Sequence, residues 1–203
     1  MIFKQSWFGK RCGEEILFPA TVPGNIQYDY SIYRGFGDLQ YSDNHKKLQG
    51  FEDDHWEYVT ELSYKKEADE RVFFVSGGID YKYDILINGK AVYSYEGMFK
   101  PCEIDITDEL CGKDTLTVHI YPHPKRVGAP AYTRDEADES CKPPVCYGWD
   151  WNPRLLISGL WQEAYIETRD SFYIGSCEAL PSLNDDMTEG KVSFSFECDK
   201  ECT

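Results

Sequence analysis

The chain has 203 residues and a formal net charge of −15, from 36 acidic against 21 basic side chains. That imbalance repels a phosphate backbone and sets nucleic acid aside as a partner. No stretch reaches the roughly 18 to 20 apolar residues that cross a bilayer, and the opening MIFKQSWFGK has no apolar core followed by a small-residue cleavage site, which predicts a cytoplasmic protein without a membrane partner.

Hydrophobic residues make up 41% of the chain and aromatic residues 15%, with only three Met, so the core is expected to rest on rings and β-branched side chains, a composition that favours sheets. Short apolar runs separated by Gly, Pro, Asn and Asp clusters predict an all-β chain. Helix signals are weak throughout, although residues 25–33, after Pro23-Gly24, suit a short helical turn. Residues 71–76 (RVFFVS) predict a buried strand, apolar on both faces, and Gly77-Gly78 permits a sharp bend after it. In residues 83–95, DILI and AVYSY flank Asn88-Gly89, whose tolerance of positive φ predicts a type I′ hairpin.

Residues 103–106 (EIDI), 116–121 (LTVHIY) and 163–168 (EAYIET) alternate and predict strands with one buried face. Between residues 122 and 147 five prolines and the acidic run 135–139 predict a large surface loop, its carboxylates solvated. A boundary falls near Arg169-Asp170. Beyond it, residues 172–174 and the alternating Val192, Phe194 and Phe196 predict strands, with Ser193 and Ser195 pointing outward. Two or three strands cannot make a core alone, so residues 170–203 read as the opening of a second β domain or as strands docked on the first.

The eight cysteines read as mostly reduced thiols, because a chain of this length needs no disulfide framework. Cys141 with Cys146, and Cys198 with Cys202, lack the two-residue gap of a zinc knuckle and have no histidine close in sequence, so no metal site is expected at either pair. No EF-hand-like acidic loop is present, and no cofactor is expected. His119 and His123 fall on the same nominal strand face as Tyr121 and read as outward polar residues. Asp80 and Asp84 read as carboxylates that satisfy backbone amides near a turn.

The most informative segment is residues 146–161, CYGWDWNPRLLISGLW. In an extended backbone Trp149 and Trp151 would share one face and Asp150 the other. Indole rings stack on the apolar C–H face of a sugar, and a carboxylate accepts charge-assisted bonds from its hydroxyls, so this combination suits a carbohydrate. The alternative is that both Trp side chains belong to the core and Asp150 caps a turn.

YGWDWNPRLLISGLWQEAYIE resembles the motif that closes the N-terminal domain of β-mannosidase-like members of glycoside hydrolase family 2. The order of other segments is similar too: ATVPGN at 20–25, Trp56 to Tyr58, GIDYKYDILING at 78–89 and GMFKPCEIDI at 97–106. The resemblance covers roughly residues 16 to 168. It implies a galactose-binding-like jelly-roll sandwich (residues 1–169), then the first strands of an immunoglobulin-like sandwich (170–203), with a catalytic (β/α)8 barrel beyond. In that family two barrel glutamates perform the retaining reaction, the acid/base in an Asn-Glu pair. This chain has no Asn-Glu dipeptide and is too short to add a barrel of about 250 residues, so no catalytic residue is expected in it.

Carried over, Asp150 would bond sugar hydroxyls while Trp149 and Trp151 wall the pocket of the barrel. The implied partners are a β-mannoside or related glycoside and the rest of the same polypeptide. Asn152 stands where the family commonly has Gly. Asp53, Asp54 and His55 correspond to a surface approach to an aromatic strand. A free-standing carbohydrate-binding module and a purely structural scaffold remain the competing readings.

Overall fold

The computed structural model describes residues 1–170 and 172–198. Two antiparallel sheets form a sandwich. The first joins β1 (Ile2–Lys4), β10 (Ala164–Arg169), β5 (Arg71–Ser76) and β8 (Cys102–Asp105), in that order. The second runs β3 (Leu17–Ala20), β2 (Trp7–Arg11), β4 (Trp56–Glu61), β9 (Thr115–Ile120), β6 (Lys82–Ile87) and β7 (Lys90–Glu96). The chain is all-β and built as a two-sheet sandwich, as expected of it.

Strand periodicity builds the core. Trp56 and Tyr58 of β4, Leu116, Val118 and Ile120 of β9, and Tyr83, Ile85 and Ile87 of β6 point inward from one sheet and meet Val72, Phe74 and Ile166 from the other. The RVFFVS strand is covered on its second face as well, because the Arg169 guanidinium lies 4.0 Å and that of Arg71 5.0 Å from the Phe73 ring. Asn88 and Gly89 adopt φ of 51° and 81°, the positive pair a type I′ turn requires. The helix α1 (Ile26–Tyr33) opens with Asn25 as its cap, whose side-chain oxygen accepts from the Tyr28 N–H at 2.9 Å.

Among the described residues, strand β11 (Ile174–Leu183) pairs only with β12 (Gly190–Cys198). The expected inward face of Val192, Phe194 and Phe196 has nothing to face among the described residues: Phe194 is 63% and Phe196 57% exposed, each ring stacking on the other. Alternation in a strand marks a surface that can be buried, and burial itself needs a second layer.

Candidate functional site

The excursion between β9 and β10 carries the tryptophan-flanked aspartate and is held by buried charges. Gly148 has φ +104° and ψ 140°, a conformation only glycine adopts without strain, and it turns the chain away from the preceding 3-10 turn Pro144–Tyr147. The Trp149 N–H then donates to the Asn152 carbonyl at 2.9 Å, and the Asn152 N–H returns a bond to the Trp149 carbonyl at 3.3 Å. Asp150 and Trp151 therefore occupy the tip of a tight turn. This corrects the extended reading of the segment, with both Trp on one face and Asp150 on the other: Gly148 and Pro153 bracket a reversal, so the alternation has no strand to act on.

The turn is exposed. Trp149 is 49% and Trp151 76% accessible, so neither belongs to the core. The Arg134 guanidinium sits 4.8 Å from the centroid of the Trp149 ring and 3.5 Å from the Asp150 carboxylate. Asp150 is otherwise open to solvent. Together with Tyr132, Tyr147 and Arg154 these residues line a shallow, open depression of about 320 Å³. Asn152, in the position of the family's Gly, ties the turn down by donating from its amide to the Val145 carbonyl at 3.1 Å.

Behind the turn lies Arg154, which the sequence reading passed over. Its guanidinium donates to both oxygens of Glu52 (2.9 and 2.6 Å), to Glu136 (2.5 Å) and to the carbonyls of Thr133 (2.9 Å) and Tyr147 (3.2 Å). All three charged side chains are buried. Burial opposes the charge on Arg154, but the Glu52 and Glu136 carboxylates outweigh it and raise the arginine above its ordinary value. Glu136 belongs to the acidic run expected to be solvated; it is drawn inside because Arg154 offers the charge partner that makes burial tolerable. The signal in the sequence is an arginine set between Pro153 and two leucines, an apolar stretch with no carboxylate of its own.

A second buried pair anchors the same loop. Lys142, 2% exposed, donates to the Asp80 carboxylate and, at 2.7 Å, to the Ile157 carbonyl. Asp80 is therefore a buried ion-pair partner and does not serve the backbone amides of a turn; its second oxygen has no hydrogen-bond partner among the described residues. Asp84 accepts a 2.6 Å bond from the Tyr121 hydroxyl. His123 is buried as well, not outward, and neither ring nitrogen has a hydrogen-bond partner within ordinary bonding geometry among the described residues. Burial, with Lys142 and Lys125 nearby, holds its pKa well below the ordinary imidazole value. Strand β9 ends at Ile120, so the alternation that placed His123 beside His119 no longer applies to it.

The remaining singled-out residues are placed by their partners. Asp53 pairs with Lys125 at 2.8 Å and Asp54 with Arg11 at 2.8 Å, while the His55 ring meets His119. The early Pro-Gly turn and the Ser-Gly-Leu-Trp segment come together: Gly24 N–H donates to the Leu160 carbonyl at 2.8 Å and Ile26 N–H to the Ser158 carbonyl at 3.0 Å. A Cβ on Gly159 would lie 2.6 Å from the Gly24 carbonyl oxygen, which is why glycine stands there. Gly78 makes room in the same way for the Trp161 indole, whose N–H reaches the Met98 carbonyl at 2.9 Å. Four segments distant in sequence thus meet at one junction.

A family model described as glycosyl hydrolase 2 galactose-binding domain-like matches residues 5–162. The chain belongs to this family. This galactose-binding-like chain is 25% identical to the β-mannosidase of Bos taurus over 88% of its own length and 23% of that protein's. It is 23% identical to β-mannosidase B of Emericella nidulans across all of its length and 26% of the relative's. The chain therefore spans about a quarter of the curated relatives it matches. Among solved structures it superposes on the β-D-mannosidase from Dictyoglomus thermophilum with a TM-score of 0.77 at 20% identity, covering 98% of this chain and 26% of that one. The exo-chitosanase of Amycolatopsis orientalis gives 0.75 at 14% identity over 98% and 24%. The sandwich fold is thus shared by proteins named for different sugars.

Proposed function

We propose that this chain is the non-catalytic N-terminal domain of a β-mannosidase-like glycoside hydrolase, and that its Trp149–Asp150–Trp151 turn forms one wall of the terminal-sugar pocket of a catalytic barrel elsewhere in the same polypeptide. The observation that carries the reading is the exposed turn itself. A carboxylate between two exposed indoles stands on a base clamped by buried ion pairs, a costly arrangement for a surface loop with nothing to hold. A positioned carboxylate flanked by flat apolar rings matches the hydroxyl groups and C–H face of a pyranose. The Trp149 ring already carries the Arg134 guanidinium on one side, which suits a wall completed by another domain better than an open stacking platform.

The exposed faces of β11–β12 support reading residues 170–203 as the first strands of an immunoglobulin-like domain that buries them against further strands. The chemistry, on this reading, belongs to glutamates outside the chain, and the mannoside preference follows the two β-mannosidase relatives.

The test is Asp150→Ala in the parent glycosidase. A lost charge-assisted bond of about 1.5–3 kcal/mol lowers kcat/KM on an aryl β-mannoside by about 10- to 100-fold with the melting temperature unchanged. Unaltered turnover together with unaltered affinity removes the assignment, and binding of manno-oligosaccharides by this chain alone would favour an independent binding module instead.

A further inference from the structure

On the outer face of the six-stranded sheet, far in sequence from the tryptophan turn, three side chains of different chemistry converge. Glu57 of β4 and His119 of β9 are directly opposed in the strand register. Cys12 follows β2 and is held beside them, its N–H donating to the His55 carbonyl at 2.9 Å. The His119 Nδ1 lies 3.3 Å from Glu57 Oε1 and 3.9 Å from Cys12 Sγ, and the three donor atoms all fall within 4.8 Å of one another.

From this convergence we propose that Cys12, Glu57 and His119 form a three-residue site for zinc or a similar divalent transition metal. Ordinary zinc bond lengths at a tetrahedral angle place imidazole nitrogen and carboxylate oxygen about 3.4 Å apart, and thiolate sulfur and nitrogen about 3.6 Å apart. The observed 3.3 and 3.9 Å need only a small movement of the Cys12 side chain to match. Sulfur and imidazole donors select zinc, cobalt or copper over calcium and magnesium, which take oxygen ligands. Thiolate and carboxylate together neutralise a divalent ion.

The surroundings suit a ligand shell. The other ring nitrogen of His119, Nε2, is 3.0 Å from His55 Nδ1, so Nε2–H donated to His55 leaves the Nδ1 lone pair directed at Glu57 and Cys12. A partner on the non-ligating nitrogen is the usual way in which a metal-binding histidine is oriented. Lys10 engages the other Glu57 oxygen at 3.6 Å, leaving Oε1 available. The side chains of His119 and Glu57 are 21% and 24% exposed, which shields the position while leaving an approach and a fourth coordination place. A bound ion would pin the connection after β2 onto β4 and β9, adding to the Cys12–His55 backbone bond and the Arg11–Asp54 pair that already hold it there.

The experiment titrates Co²⁺ into the 203-residue chain after chelation and reduction, and follows the thiolate-to-metal charge-transfer absorption and the tetrahedral d–d bands. One equivalent binds with both signatures, and Zn²⁺ displaces it. Cys12→Ser abolishes the charge-transfer band, Glu57→Gln weakens binding, and His55→Leu, which removes the orienting partner, weakens it about 10-fold. Cys111→Ser and Cys141→Ser leave it unchanged. Absence of a thiolate band at stoichiometric cobalt overturns the site, as does a band that survives in Cys12→Ser. Circular dichroism establishes that each variant is folded. Undiminished affinity in a folded Glu57→Gln chain also overturns the site, so the proposal does not depend on the cysteine variant alone.

Discussion

Replacing Arg154 by Met keeps the aliphatic stem and removes the charge that neutralises Glu52 and Glu136. Glu52 retains Lys125 Nζ at 3.3 Å, and Glu136 retains a 3.0 Å bond from the Tyr132 N–H, but Glu136 makes no other salt bridge among the described residues. Breaking a buried ion pair from one side costs about 3–5 kcal/mol. The loss is therefore expected at about 3–5 kcal/mol, and urea unfolding of wild type and Arg154→Met measures it. Adding Glu136→Gln to Arg154→Met removes the stranded charge and recovers most of the loss. A loss below about 1 kcal/mol, or a larger loss that Glu136→Gln does not relieve, refutes the view that charge burial behind the turn holds it in place.

Gly148→Ala forces a side chain into a backbone conformation that only glycine adopts freely, which costs about 1–3 kcal/mol in thermal unfolding and increases acrylamide quenching of tryptophan fluorescence as the turn loosens; an unchanged melting temperature counts against the role given to Gly148. His123 is held neutral in the fold, whereas in the unfolded chain it takes up a proton below about pH 6.5, so the unfolded state binds more protons and this residue removes about 1.4 kcal/mol of stability per pH unit on acidification below that value. His123→Asn lacks that contribution, and the stability gap between wild type and variant changes by about 2 kcal/mol between pH 6.5 and 5 in denaturant titrations. Parallel pH profiles refute it.

Local signals carried much of the architecture. The Asn88-Gly89 hairpin, the RVFFVS strand and the short helical turn after Pro23-Gly24 were legible because each depends on residues adjacent in the chain, whereas the Asn25 cap of that turn came only with the structure. The importance of residues 146–161 was also legible from residue type. Its shape was not, since the alternation expected of Trp149, Asp150 and Trp151 holds only if the backbone is extended, and a glycine with positive φ followed by mutual Trp149–Asn152 bonds folded it into a turn.

By itself the chain's sequence determined an acidic, aromatic-rich all-β chain and marked the segment that stands out from it, because strand period, turn residues and composition act over a few positions; the two-sheet sandwich was what the family resemblance implied. The burial of Glu136, Asp80, Lys142 and His123, and the meeting of Cys12 with Glu57 and His119, were decided only in the tertiary structure. A charge or a donor atom has no environment until remote strands and loops close around it. Glu52 and Arg154, 102 positions apart, illustrate the point: either alone reads as a surface residue, and only the folded chain makes each the reason the other can be buried.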